Sequence, residues 1–284
     1  MRFVFLHGGP GFNSFAEQAI LGPIFHSYGR EIVFWNEPSR LRPGGEPFEE
    51  TSAFERWLAS AERCVLFAAQ SLPVHLIAHS VTVHAAVEIV RRHPGRIATL
   101  VVLAPSADPF ATFTNVLRLA HEDLSEVKPQ VAVTIAECLA RTREFLDDAM
   151  REGLMNVLHD ERLFSHYWAD PVQFEASMSA LARPEAQFDA ESFFAVLSGF
   201  KQRGATCLSE SSVNVPALVL FGAHDRITPA GEQRSAIEAA LPGARIDVLD
   251  GCSHYVHLDR PQHFVEFVAE WTAARVNKRD ASLT

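Results

Sequence analysis

Residues 74–93 read VHLIAHSVTVHAAVEIVRRH. The first five form a short apolar run, the kind that makes a strand covered on both faces of a parallel sheet. From Val81 to His93 the apolar spacing becomes helical. Ser80 falls at the junction. A serine on so abrupt a strand-to-helix turn is held in a strained backbone conformation with its hydroxyl exposed. Ser80 is therefore the candidate nucleophile. A serine hydroxyl attacks poorly until a neighbouring base takes its proton, so the rest of the chain must supply one.

Working outward, five more apolar runs stand at 3–6, 32–35, 97–104, 217–221 and 246–249. Helical patterns cover 54–70, 81–93, 231–240 and 262–274, the last entered through Pro261, a residue suited to a first helical turn. This alternation predicts an α/β fold with a mostly parallel sheet of about six strands flanked by helices. The stretch 106–210 breaks the alternation. It carries helical patterns, at 131–150 and 192–201 for example, and few strand-like runs. It reads as an insertion into a core made of 1–105 and 211–284, with 209–216 as the returning linker.

The two late strands each end in a distinctive loop. The run 217–221 leads into Gly222-Ala223-His224-Asp225-Arg226-Ile227-Thr228-Pro229, and 246–249 into Gly251-Cys252-Ser253-His254-Tyr255. Serine, acid and histidine thus follow one another in the order Ser80, Asp225, His254. Asp225 is the candidate to orient the imidazole and stabilise its charged form, and His254 the candidate base. Asp247 and Asp250 lie too close to His254 in the chain to replace Asp225. His257 is the rival base.

Together with His7-Gly8-Gly9-Pro10-Gly11 after the first strand, these strings resemble the α/β-hydrolase superfamily over nearly the whole chain. The G-x-x-D-x-x-x-P and G-x-x-H loops resemble that family's acid and histidine loops. The resemblance implies that the N–H groups of Gly9 and Val81 form the oxyanion hole and that His7 orders the glycine loop. It implies that 106–210 is a helical cap, and that no cofactor is needed. Of the cap aromatics, Tyr167, Trp168, Phe193 and Phe194 are the candidate substrate contacts, while most of the others pack the cap itself. HGGPG points to the branch of proline iminopeptidase-like relatives. Three features depart from the pattern. Ala78 and Thr82 stand where G-x-S-x-G has glycines. The stretch from Asn36 through Arg40 to Gly44 does not match the branch's D-x-R-G-x-G-x-S. The start is short, which leaves 32–35 as a sheet edge and suggests a homodimer.

Composition narrows the classes further. A hydrophobic fraction of 48% is ample for a large core. The net charge of −10, from 25 basic and 35 acidic residues, argues against nucleic-acid or anionic-membrane partners. Cys64, Cys138, Cys207 and Cys252 are widely spaced and fit reduced thiols better than a disulfide framework. No leader pattern precedes the first strand, so a cytoplasmic protein is expected. No His/Asp/Glu spacing suggests a metal. The expected function is a cofactor-free serine hydrolase acting on an ester, thioester, amide or activated C–C bond of a small apolar molecule. The alternatives are an aminopeptidase gripping a substrate amine through Glu144, Asp147, Asp148, Glu152 or Glu175, or a non-hydrolytic lyase, cyclase, acyltransferase or binding protein.

Overall fold

The structure is a computed structural model that describes residues 1–39, 52–158, 160–203, 208 and 212–281. The chain opens with strand β1 (Arg2–Leu6), helix α1 (Phe15–Ser27), β2 (Glu31–Trp35) and α2 (Ala53–Ala68). Next come β3 (Val74–His79), a 3-10 turn (Ser80–Thr82), α3 (Val83–Arg92) and β4 (Ile97–Leu103). Six helices follow: α4 (Pro109–Leu124), α5 (Pro129–Arg141), α6 (Asp148–Val157), α7 (Glu161–Ser165), α8 (Pro171–Leu181) and α9 (Ala190–Gln202). The sheet then resumes with β5 (Ala217–Gly222), α10 (Ala230–Ala240), β6 (Arg245–Leu249), the short α11 (Val256–Asp259) and α12 (Pro261–Ala281). Residues 40–44, the beginning of the 209–216 linker and Cys207 lie outside the described residues.

All six strands are parallel, in the order β2-β1-β3-β4-β5-β6. Side chains alternate between two cores, as strand geometry requires. Val4, Leu6, Leu76, Ala78, Val102 and Val219 point into one, with α2 and α3. Phe3, Phe5, Ile77, Val101 and Leu220 point into the other, with α1 and α12. Both faces of the central strands β1, β3, β4 and β5 are covered, which is why these read as nearly continuous apolar runs. The outer strands are β2 and β6.

Strand order reverses between β1 and β3. From β1 the chain steps outward to β2, then returns to the other side of β1 and continues through β6. Such a switch point leaves a crevice beyond the carboxyl ends of the two strands, where ligands bind in open α/β sheets. Leu6 pairs with Ala78, so the glycine loop after β1 and the turn holding Ser80 leave the sheet side by side.

Several elements differ from the sequence reading. The pattern at 131–150 is two helices, α5 and α6. They are separated by a turn in which Leu146 has φ 52° and the Asp147 side chain caps α6 by accepting from Met150 N–H. Helix α3 begins only after the 3-10 turn, and α1 had no clear signal, since Gly22 and Pro23 interrupt it. The last helix runs on to Ala281.

Candidate active site

Ser80 has φ 57°, a left-handed conformation that non-glycine residues adopt only at a cost of about 1–3 kcal/mol. Thr82 holds it there. Its hydroxyl accepts the His79 N–H at 3.1 Å and lies within donating distance of the His79 carbonyl (2.7 Å) and the Leu6 carbonyl (3.2 Å). Thr82 is fully buried, so it knits the end of β3 to the end of β1. The residue that departed from the glycine pattern thus replaces backbone freedom with hydrogen bonds.

Ser80 Oγ lies 3.1 Å from His254 Nε2, and His254 Nδ1 lies 3.0 Å from Asp225 Oδ2. That leaves Nδ1 as the protonated nitrogen of a neutral imidazole and Nε2 as the acceptor facing the serine. Asp225 Oδ1 accepts the N–H groups of Ile227 (2.8 Å) and Thr228 (2.9 Å). Thr228 Oγ1 adds a bond to Oδ2 at 2.7 Å and lies 3.2 Å from His254 Nδ1. Burial pushes the Asp225 carboxyl up. The adjacent His254 imidazole and the hydrogen bonds from His254 and Thr228 outweigh it, and the group stays below the usual aspartate range. All three residues are at most 6% exposed.

The rival base is elsewhere. His257 is fully buried, with Nε2 3.4 Å from Glu17 Oε1. Glu17, His79 and His257 do converge in a buried group with possible ligand atoms within 4.8 Å of one another. In that group His79 donates from Nε2 to the His254 carbonyl at 3.0 Å. Burial, with His257 and His254 close by, keeps His79 well below the usual histidine range and therefore neutral. His84 donates to the Ser106 carbonyl at 3.0 Å, pushed down to about 4 by burial.

Across the crevice, Gly8 packs against the turn. A Cβ on it would lie 2.5 Å from His79 Nδ1 and 3.2 Å from Ser80 Cβ, so only glycine lets the loop come this near. Gly9, at φ 62°, borders the same cavity as Ser80. Val81 is the second residue of the 3-10 turn, its side chain buried in the core. His7 stacks on Trp35 at 4.7 Å and accepts the Glu37 N–H at Nε2, so Nδ1 donates to the Gly8 carbonyl at 3.1 Å. Glu37 braces the loop in turn, accepting from Gly11 N–H (2.6 Å) and Trp57 Nε1 (2.9 Å).

The cavity over Ser80 holds about 40 Å³, room for a few water molecules. Gly8, Gly9, His79, Ser80 and His254 form its floor, and Phe12, Thr112, Phe113, Val116, Leu158, Leu163, Phe164, Tyr167, Phe193, Ile227 and Tyr255 its walls. Two of the four candidate aromatics are there, Tyr167 and Phe193. Two are not. Trp168 stacks on Tyr255 at 4.3 Å and packs into the core shared with α12. Phe194 faces the other side of α9, in a groove beside Arg151 and Met155. Residues one apart on a helix or turn point in different directions, which the composition of the segment does not reveal. Phe12 and Thr228 are not evident as site residues from the sequence, and Thr82 shows there only as a departure from the glycine pattern, its bracing role hidden. Thr228 carries a local signal, a hydroxyl three residues after an aspartate.

Among the described residues, no carboxylate, lysine or arginine lines this cavity. None of the five acidic residues suggested for gripping an amine lines it, and three are engaged elsewhere: Glu144 pairs with Lys201, Glu152 with Arg141, and Asp147 caps α6. A much larger hollow of about 980 Å³ lies at the opposite, amino-terminal ends of the strands, against Arg2, His75, Ile97 and Pro216. It contains none of Ser80, Asp225 and His254.

The family model for serine aminopeptidases, S33, matches residues 52–261, well over half the chain and all three of these residues. The chain belongs to that family. It is an α/β-hydrolase enzyme. Among solved structures it resembles the proline iminopeptidase-related protein from Thermus thermophilus, at 20% identity over 97% of this chain and 90% of that one, with a TM-score of 0.67. It also resembles a serine hydrolase from a Cycloclasticus bacterium that degrades polyaromatic hydrocarbons (16% identity, 94% and 88% coverage, TM-score 0.60). The third is the 2-hydroxy-6-oxo-6-phenylhexa-2,4-dienoate hydrolase of a Rhodococcus species (17% identity, 95% and 89% coverage, TM-score 0.62). At these identities the likeness is one of fold. No curated protein matches by sequence. No described helix is long and apolar enough to cross a membrane.

Proposed function

We propose that this enzyme is a serine hydrolase that works through Ser80, His254 and Asp225 on small, uncharged acyl substrates, with helices α4–α9 as its cap. The observation that carries the reading is the unbroken contact from Ser80 Oγ through His254 to Asp225, at 3.1 and 3.0 Å, on a strained strand-to-helix turn. As Ser80 Oγ attacks the acyl carbon, its proton passes to His254 Nε2, and the buried Asp225 carboxylate stabilises the imidazolium. The carbonyl electrons move onto oxygen, which the N–H groups of Gly9 and Val81 receive. His254 returns its proton to the departing alkoxide, thiolate or amine, leaving an acyl-Ser80. Water then attacks with His254 again as base, and the acid product leaves with Ser80 restored.

The cavity favours a substrate class within this chemistry. An aminopeptidase needs negative charge for a free amine, and a substrate bearing a carboxylate beside the reacting carbon needs a cation. The described walls offer neither. A buried unpaired charge costs far more than such a pocket returns, so neutral esters and thioesters with short acyl chains fit best. The test is fluorophosphonate labelling of wild type and Ser80→Ala, with a panel of p-nitrophenyl esters and amino-acid p-nitroanilides. Labelling and ester turnover are expected in wild type alone, with anilide turnover at least about 100-fold slower. Equal turnover by Ser80→Ala would remove the covalent mechanism, and preference for the free-amine substrates would remove the neutral-acyl assignment.

A further inference from the structure

We propose that Asp259 is a positioning residue for His254. It ties the histidine loop and the helical insertion into one unit, so that the insertion must be seated for the triad to align. The proposal rests on His254 being the base. Asp259 ends α11 and is 4% exposed. Its Oδ2 accepts the Ser253 N–H at 2.6 Å. Its Oδ1 accepts the N–H groups of Ala169 (2.8 Å) and Asp170 (3.1 Å), where the insertion enters α8. One buried side chain therefore holds the backbone of two segments about ninety residues apart.

Two more bonds close the same seam. Ser253 Oγ donates to the His166 carbonyl at 2.7 Å, and Tyr255 N–H donates to the Tyr167 carbonyl at 2.8 Å. The Tyr167 ring meets the His254 ring edge-on at 5.1 Å. His254 thus sits between two residues whose N–H groups are both fixed in the seam, while its own carbonyl accepts from His79. The main chain is pinned on each side of the imidazole by groups outside the triad.

A carboxylate suits this place because both of its oxygens accept. An asparagine of equal size has one accepting oxygen and an NH₂ that only donates. Asp259→Asn would set that NH₂ against either the Ser253 N–H or the pair from Ala169 and Asp170. The seam must then open on one side, and a shift of about 1 Å in a catalytic group costs on the order of 100-fold in rate.

The experiment measures kcat and KM for p-nitrophenyl butyrate, the rate of fluorophosphonate labelling and the melting temperature. Wild type, Asp259→Asn, Ser253→Ala and Thr272→Val are compared. Thr272→Val removes a buried hydroxyl bond to the Val268 carbonyl in α12, touches none of the triad, and serves as a control for lost stability. Asp259→Asn should lower kcat and the labelling rate together by about 10- to 100-fold, with KM within about 3-fold of wild type. Ser253→Ala, which removes the hydroxyl bond to the His166 carbonyl and the longer one to the His224 carbonyl (3.4 Å) but keeps the Ser253 N–H bond to Asp259, should lower kcat by about 3- to 10-fold and carries the test if Asp259→Asn does not fold. Thr272→Val should melt lower with kcat within about 2-fold. Overturning results are an Asp259→Asn kcat within about 2-fold of wild type, the same for Ser253→Ala if the asparagine variant is unfolded, or an equal kcat loss in Thr272→Val. If wild type itself is not labelled, the serine-hydrolase reading falls and takes this proposal with it. A labelled wild type with an unaffected Asp259→Asn overturns this proposal alone.

Discussion

Replacing Thr82 by valine keeps the shape of the side chain and deletes its hydroxyl. The structure gives that hydroxyl three partners: the His79 N–H at 3.1 Å, the His79 carbonyl at 2.7 Å and the Leu6 carbonyl at 3.2 Å. All lie in the buried space between the ends of β1 and β3, away from bulk water. Leaving a buried donor or acceptor unsatisfied costs about 1–3 kcal/mol. Unfolding entropy near the melting point is about 2.1 cal/mol/K per residue, or about 0.6 kcal/mol/K for 284 residues. Thr82→Val should therefore lower the melting temperature by about 2–5 °C. It should also lower kcat/KM for p-nitrophenyl butyrate by about 10-fold or more, because the turn that holds Ser80 at φ 57° loses its brace. Thr82→Ser keeps the hydroxyl and should retain most of the activity. The assay is calorimetry beside steady-state kinetics on the three proteins. A Thr82→Val enzyme within about 1 °C and 2-fold of wild type would show that the hydroxyl braces nothing and that the threonine is merely accommodated.

Two further expectations concern charge and cavity shape. The folded-state carboxyl of Asp225 lies below its unfolded value, so its contribution to stability is present above the unfolded pKa and lost as pH falls through the folded one. Wild type should then lose melting temperature more steeply than Asp225→Asn as pH drops from about 4 to 2, and parallel slopes would refute the link. Phe193→Ala should enlarge the acyl space and raise the ratio of kcat/KM for p-nitrophenyl hexanoate over acetate by about 10-fold or more. Phe194→Ala, on the other side of α9, should leave that ratio unchanged, and equal responses of the two variants would contradict the assigned cavity wall.

What could be read from the chain depended on how local each cause was. The central strands announced themselves because a parallel strand covered on both faces must be apolar along its length, as Ala217–Gly222 is, while β2 and β6 showed only shorter, interrupted runs. Ser80, Asp225 and His254 were legible because each follows such a strand within a short loop of recognisable form. Helix α1 was not, because Gly22 and Pro23 weaken the local preference and packing against β2, α8 and α12 supplies the rest. The division of 131–150 turned on the Asp147 cap and the left-handed Leu146, features that an apolar pattern passes over. Which aromatics of α4–α9 reach the cavity was equally hidden, since Phe193 and Phe194 differ only in the side of α9 they occupy. The long-range bonds of Thr82 and Asp259, to the Leu6 carbonyl and from the Ala169 N–H, leave no mark in the local sequence.

The contact between Ser80 and His254 joins residues 174 positions apart, with helices α4–α9 lying between them. On the ribosome, the serine is made long before the histidine that faces it. Until His254 has been made and has folded against it, Ser80 has no imidazole within reach. Under the proposed mechanism, a product truncated before His254 lacks its base and should not turn over substrate. The rate at which a serine-directed reagent reacts with newly made chains would accordingly time the completion of folding.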